Sequence, residues 1–324
     1  MLDRVLPVIH VGKLDSISIR SSIFRQHPLD YLESLEKCIT TALAELTEEQ
    51  KDHVIGIGVD TTGSTPVPVD KNGTPLALLD EFAENENAMF FLWKDHAAAA
   101  EADEINKLFR NNSENDYTKY QGDYSAEWYW AKILYAVRHD EAIRQAAYTW
   151  EEHCDWMTGI LCGETRPEKI YHSPQARWHS EWNGLPAASV LEQLDPYLVQ
   201  VRERYGNAPQ PSTVKVGTLC PEWAKKLGLK ESTVISGSSF DAHAGAVGAG
   251  IQKKTFVCTM GTSCVDMFVE KPENLKGKDI QAYCGQAENS ILPGYVGVET
   301  GQAAFGDIFA WFKRLLEWPL TELA

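Results

Sequence analysis

Residues 233–268, TVISGSSFDAHAGAVGAGIQKKTFVCTMGTSCVDMF, decide how this chain is read. Thr233, Val234 and Ile235 are β-branched and favour a strand, which Gly237, Ser238 and Ser239 then break. Asp241 stands where loop becomes helix. Residues 242–250 are almost all Ala and Gly, which suits a helix whose backbone approaches another element closely. A carboxylate at a helix N-terminus faces the positive end of the dipole, so its ionised form is favoured. Such a group can take the proton of a substrate hydroxyl. The following hairpin closes at Met260-Gly261-Thr262-Ser263, where backbone N–H groups and two hydroxyls can cradle phosphate oxygens. A capping Asp and an ordinary tight turn would use the same residues, and the stretch alone does not choose between the two.

The surrounding composition narrows the field. The chain has 324 residues, enough for two domains or for one and a large part of another. Apolar residues make up 44% and there are ten Trp, which supports a packed core and excludes global disorder. A net charge of −16 excludes a nucleic-acid backbone or an anionic membrane as the main partner. It leaves room for a phosphorylated small molecule held in a local cleft. The seven cysteines include no CxxC pair and no zinc-type spacing with His. Reduced thiols in a cytoplasmic protein fit best. The apolar run 5–11 is too short for a signal-peptide core, and no segment has the length to span a bilayer.

Working outward, residues 1–23 show weak strand-like alternation only. From residue 24, Pro28 marks a helix start, and Leu29, Leu32, Leu35, Ile39, Leu43 and Leu46 recur at helical spacing. Residues 53–60, HVIGIGVD, read as a buried strand, and Asn72-Gly73 as a turn. Asp60-Thr61-Thr62-Gly63 has a superficial likeness to the phosphate hairpin of actin-like ATPases. Its residue order differs and no Arg-rich partner strand follows, so a substrate-side loop is the better reading. Residues 87–95, NAMFFLWKD, read as an apolar strand with a polar tip. There Trp93 with Lys94 and Asp95 can offer a sugar an apolar face and hydroxyl-directed groups. A core Trp beside exposed charges fits the same residues, and is favoured for that stretch taken alone. Trp128, Tyr129 and Trp130 read as core. Asp140 reads as a cap between helices, Gly159 and Gly163 as stop signals, and Pro196 and Pro221 as a helix break and a helix start. A strand ending at Glu299 and an amphipathic helix complete the chain.

Seven co-linear stretches together resemble the FGGY carbohydrate kinase family: GIGVDTTGSTPVPVD (56–70), FFLWKDH (90–96), YSAEWYWAKI (124–133), RWHSEWNGLP (177–186), SFDAHAGAVGAG (239–250), MGTSC (260–264) and GVETGQAAFGDIFAWF (297–312). The similarity runs from about residue 24 to the end of the chain. It implies an α/β, actin/hexokinase-like (ribonuclease-H-like) fold of two domains with a catalytic cleft between them. Residues 1–248 would be the sugar-binding domain, its first hairpin missing or replaced, and 249–324 the start of an incomplete nucleotide-binding domain. The implied reaction moves the γ-phosphoryl group of ATP, with Mg²⁺, to the 5-hydroxyl of L-ribulose, a step of L-arabinose catabolism. By position, Asp241 matches the family's general base, and Gly261, Thr262 and Ser263 its second phosphate hairpin. Gly63, Trp93, Lys94, Asp95, Gln175 and Glu299 fall on stretches lining the sugar pocket. The resemblance names no metal ligand, implies no nucleic-acid or membrane partner, and leaves room for a homodimer.

Three departures set further expectations. Residues 1–23 lack the family's first phosphate hairpin, and its adenosine-binding segment and FGGY signature are not in the chain. Gln175 stands where the family pattern has Lys. The reading is thus an internal piece of such a kinase, with the sugar side largely present and the nucleotide side half missing. A pentulose-binding protein without catalysis, and a kinase for another ketose such as xylulose, are the alternatives. The expected structural consequences are an unpaired strand edge near 53–60 and apolar exposure at Phe305, Ile308, Phe309, Trp311 and Phe312, hence marginal stability. ATP-dependent phosphorylation by this chain alone is not expected.

Overall fold

Pro28 fixes the first turn of a helix whose N-terminus is capped by His27, the ring accepting from the Leu29 N–H at 3.2 Å. This computed structural model describes residues 23–173, 178–206, 209–261, 263–280, 283–302 and 304–322. They divide into two compact units: the chain up to Tyr117 with Tyr124–Asp241, and Thr118–Asp123 with the chain from Ala242 onward. The division falls at Asp241, seven positions before the boundary expected at 248.

The first unit begins with β1 (Arg25–Gln26), α1 (Pro28–Leu43) and α2 (Glu48–Lys51), then β2 (Gly56–Ile57), β3 (Asp60–Thr61), β4 (Pro66–Val69) and β5 (Phe90–Phe91). Helices α3 (Ala99–Arg110), α4 (Tyr129–His139) and α5 (Glu141–Ala146) lead to β6 (Thr149–Glu152) and α6 (His153–Cys162). After α7 (Ala188–Leu194) and α8 (Pro196–Glu203) come β7 (Lys215–Thr218), α9 (Pro221–Leu227), β8 (Val234–Ser236) and β9 (Ser239–Phe240). The strands pair in short ladders: β1 with β5 and β4 with β6 antiparallel, β3 with β9 parallel, and β2, β8 and β7 in one three-stranded sheet.

The main core of this unit packs Phe91, Phe109, Trp130, Ile133, Leu134, Trp150 and Leu198 among α3, α4, α7 and α8. Tyr129 and Trp130 are buried, as their pattern suggested, while Trp128 is half-buried against the same cluster. A second cluster sets Leu32, Leu35 and Ile39 of α1 against Trp223 and Leu227 of α9, while Leu29 is exposed and Leu46 lies beyond the helix end.

Local chemistry explains most element ends. Pro221 opens α9 as expected, and the break expected at Pro196 falls between α7 and α8, where Pro196 is the first residue of α8. Asp140 caps α5, accepting from the Ile143 N–H at 3.1 Å. Helix α6 ends at Gly163, whose φ of 71° is the left-handed region that glycine tolerates best. Gly159, expected as a stop, lies inside α6.

Two strand expectations need correction. Residues 53–60 are not a buried strand: only Gly56 and Ile57 pair, β2 lies at a sheet edge among the described residues, and Ile55 is 83% exposed. Among the described residues β2 is thus an edge strand, in spite of a composition that suits a central one. In 87–95 only Phe90 and Phe91 are strand, and the chain turns at once into the Trp93 segment.

The second unit continues from helix α10 (Asp241–Gly248) into β10 (Phe256–Met260), β11 (Cys264–Glu270), α11 (Pro272–Leu275), β12 (Gly285–Glu288), β13 (Val296–Gln302) and α12 (Gly306–Glu322). The sheet is antiparallel in the order β10-β11-β13-β12. Its core joins Ala246, Ile251, Val257, Met267, Val269 and Ile291. Helix α12 shows Ile308, Phe309, Trp311 and Phe312 exposed, and Phe305, just before it, is half-buried. No disulfide joins any of the seven cysteines. Among the described residues no helix is long and apolar enough to cross a membrane.

The Asp140 carboxylate also accepts from the side chains of Asn85, at 2.9 Å, and Asn87. These bonds outweigh the opposing effect of burial and hold its carboxyl below the ordinary range. Asp140→Ala should therefore cost about 1–2 kcal/mol in urea unfolding at neutral pH.

Candidate functional site

The Gly63 turn is built against the segment that delivers Asp241. Strand β3 runs parallel to β9 with Thr61 opposite Phe240, and the Ser239 N–H donates to the Val59 carbonyl at 3.1 Å. The Phe240 ring then lies over Gly63, where a Cβ would fall 1.8 Å from Cε1. Only glycine fits. Asp241 follows as the first residue of α10, and its side chain is exposed.

Ser64, the next residue, is held from two directions by buried charges. Lys132 of α4 donates from Nζ to the Ser64 carbonyl at 2.6 Å and to the Leu92 carbonyl at 2.8 Å. Glu152 of β6 accepts from the Ser64 hydroxyl and from the Thr65 N–H, the latter at 2.7 Å. Neither Lys132 nor Glu152 reaches solvent. Burial pushes the Glu152 carboxyl up to about 7, against the pull of the Ser64 and Thr65 donors and of Lys132. Burial likewise lowers the Lys132 ammonium to about 8, countered by Asp95, Glu152 and Glu127.

Leu92 leads into the Trp93 turn, so the Gly63 and Trp93 stretches share one anchor. Trp93 is half-buried, and Lys94 Nζ lies 5.5 Å from its ring centroid and 4.6 Å from that of Phe24. Asp95 takes a different place from the one expected at a sugar pocket. It is fully buried, paired with the Arg25 guanidinium, and accepts from the N–H groups of Phe24 at 2.6 Å and Ala97 at 3.2 Å. Arg25 in turn lies over the Phe91 ring at 3.4 Å, and burial lowers its pKa while Asp95 opposes the shift.

A second buried carboxylate, Asp155 of α6, accepts at Oδ1 from the Ser173 N–H at 3.0 Å and the Ser238 hydroxyl at 2.9 Å. Ser173 directly precedes 174–177, and Ser238 stands three residues before Asp241. Gln175 and Thr262 lie outside the described residues.

In the second unit, Glu299 of β13 faces His243 of α10, with Nε2 to Oε2 at 2.6 Å. Burial alone would raise the Glu299 carboxyl, but the His243 charge and hydrogen bond outweigh it and hold the carboxyl below its ordinary value. Gly285, opposite Glu299 in the ladder, leaves room for it: a Cβ there would meet Glu299 Cγ at 2.5 Å. In the hairpin turn the Gly261 N–H is already donated to the Ser263 carbonyl at 2.7 Å. That donor shapes the turn. Among the described residues no three His, Cys, Asp or Glu side chains are grouped to hold a metal ion.

Sequence reasoning missed Lys132, Glu152, Asp155 and His243. The run Glu151-Glu152-His153-Cys154-Asp155, bounded by Trp150 and Trp156, offered a signal that helical periodicity alone does not single out.

The family model for the FGGY family of carbohydrate kinases, C-terminal domain, matches residues 256–323. The chain is 44% identical to a ribulokinase of Vibrio parahaemolyticus over 94% of its own length and 54% of that protein's. It is 35% identical to a ribulokinase of Shouchella clausii, over 89% and 51%. The chain thus spans about half the length of the curated relatives it matches. A crystal structure of xylulose kinase from Rhodospirillum rubrum superimposes with a TM-score of 0.68 at 17% identity, covering 94% of this chain and 57% of that one. The fold is accordingly that of the FGGY sugar kinases, α/β and actin/hexokinase-like.

Two predictions follow from the geometry. Gly63→Ala must displace the Phe240 ring, and should destabilise by about 1–3 kcal/mol in urea unfolding. Glu152, raised to about 7, binds its proton more tightly folded than unfolded, so its contribution is most favourable below about 4.5 and is lost as pH rises to about 7. Glu152→Gln should therefore gain stability relative to the parent across that window, by on the order of 3 kcal/mol, read as the difference in unfolding free energy against pH.

Proposed function

We propose that this chain, which belongs to the FGGY family of carbohydrate kinases, forms the sugar-binding part of an L-ribulose kinase and supplies its general base. The observation that carries the reading is the placement of Asp241. It is the exposed first residue of α10, held by a Phe240 that is locked over Gly63. Asp95, Glu152 and Asp155 are by contrast buried, out of reach of a ligand in solvent.

In the proposed reaction the Asp241 carboxylate accepts the proton of the sugar 5-hydroxyl as that oxygen forms a bond to the γ-phosphorus of ATP. The bond from that phosphorus to the bridging oxygen breaks and ADP leaves with its electron pair. Phosphoryl transfer of this kind depends on alignment and charge stabilisation. Trp93 and Lys94 give the sugar an apolar face and a donor, and Glu299, fixed by His243, accepts from a hydroxyl. Gly261, Thr262 and Ser263 are given to the phosphates by their position in the sequence alone. Mg²⁺ enters as the counter-ion of ATP, and no group of this chain is assigned to it.

Pentulose binding without turnover is the second reading, favoured by the Gly261 N–H being taken by the Ser263 carbonyl rather than left for a phosphate. Calorimetric titration with L-ribulose and with D-xylulose, followed by an ADP-release assay with ATP and Mg²⁺, separates these outcomes. The kinase reading expects selective L-ribulose binding and sugar-dependent ADP release. Sugar binding without ADP release supports the second reading, and no sugar binding overturns both. Where turnover is measured, Asp241→Asn should lower kcat by at least ~10²-fold with sugar affinity little changed.

A further inference from the structure

We propose that Lys132 is a positioning residue that ties the Gly63 turn to the Trp93 turn and thereby sets the affinity of the pentulose site. The inference rests on the functional reading above for its ligand, but not for the tie itself. One ammonium donates to the Ser64 carbonyl at 2.6 Å and to the Leu92 carbonyl at 2.8 Å, joining segments 28 residues apart through a helix 40 and 68 residues further on. Each carbonyl adjoins a candidate sugar-side residue, Gly63 or Trp93. Ser64 follows the glycine packed under Phe240, and its hydroxyl is fixed by Glu152. The Leu92 carbonyl also accepts from the Asp95 N–H at 3.0 Å, closing the turn that presents Trp93 and Lys94.

A fully buried ammonium is costly unless paired and hydrogen-bonded. An apolar side chain of the same length would fill the space and avoid that cost. It would also leave the two buried carbonyls without this donor, and nothing would hold the turns at one spacing. The charges facing Lys132 are Asp95 from the turn after β5, Glu152 from β6, Glu127 from the turn before α4, and Arg25 from β1. Three of these four are anionic and favour the ammonium. Burial opposes it and brings its titration to about 8, so the clamp loses its charge in mildly basic solution.

The test is Lys132→Met in the full chain, with hydrogen–deuterium exchange at the Thr65 and Asp95 amides and L-ribulose affinity by calorimetry. The expected result is native circular dichroism, simultaneous loss of protection at both amides, and at least tenfold weaker binding. Unchanged protection, or loss at one turn only, overturns the proposal. A merely structural lysine would lower the melting temperature and leave affinity and its pH profile as they were. If the variant does not fold, the parent chain is examined from pH 7 to 9.5, with exchange corrected for its intrinsic pH dependence. The two amides should then change protection together wherever the Lys132 charge is lost, with L-ribulose affinity following; responses at the two turns that are independent of each other overturn the proposal. If the parent binds no L-ribulose while the two amides still respond together, the functional reading fails and the tie stands. Parental affinity in a folded Lys132→Met overturns the positioning role alone.

Discussion

The packing of Phe240 over Gly63 is the contact on which the first unit's candidate site depends. Two short parallel strands, β3 and β9, would define little alone, since a pair of two-residue segments contributes few ladder bonds. The ring supplies what the ladder lacks. It occupies the volume any side chain at position 63 would need, so the two strand ends can close only in one register. That register sets where α10 begins, and with it the direction from which Asp241 is presented. A glycine and an aromatic residue 177 positions apart thereby act as one steric unit.

Around this contact the unit is organised by buried charge rather than by apolar packing alone. Lys132, Glu152, Asp155, Arg25 and Asp95 are all withdrawn from water, an arrangement that costs several kcal/mol per ion before pairing and hydrogen bonding offset it. Most of the partners are backbone groups of turns: Ser64, Thr65, Leu92, Phe24, Ala97 and Ser173. Irregular backbone brought into an interior must find donors and acceptors, and helices and strands cannot supply them because their own groups are already used. Charged side chains from α4, β6 and α6 meet that need. The cost in stability is exchanged for turns of fixed shape, which is what a sugar site requires of the segments that line it.

This division explains what could be read from the sequence. Helix starts at Pro28, Pro196 and Pro221, the Asp140 cap, the αL glycine at 163 and the hairpin around Gly261 all rest on chemistry within a few residues. The same is true of Asp241 at the head of α10. Lys132 has no such local signature. Its bonds reach across 40 and 68 residues, and a single Lys inside WYWAKILYAV is counted by periodicity as a polar position on an otherwise apolar helix. Residues 53–60 failed in the opposite direction. Their Val and Ile content is that of a central strand, but burial is decided by neighbours. The described neighbour, β8, covers one edge only. Asp95 was found by its motif and misplaced by it, since a motif fixes a position in the chain and leaves open which way the carboxylate turns.

The same criterion separates the acids by role. A general base must reach a ligand, and a carboxylate sealed away from solvent does not. Asp95 and Glu152 are fully buried with at least two protein donors each, and Asp155 is buried with its Oδ1 shared between Ser173 and Ser238. Glu299 is held by His243, which keeps it ionised and leaves it suited to accepting a hydrogen bond rather than a proton. Asp241 differs from all four in being exposed at a helix N-terminus, where the dipole favours its anion and solvent or substrate can reach it. The proposed assignment of the proton to Asp241 rests on that exposure, and the proposed orienting role of Glu299 on its pairing with His243.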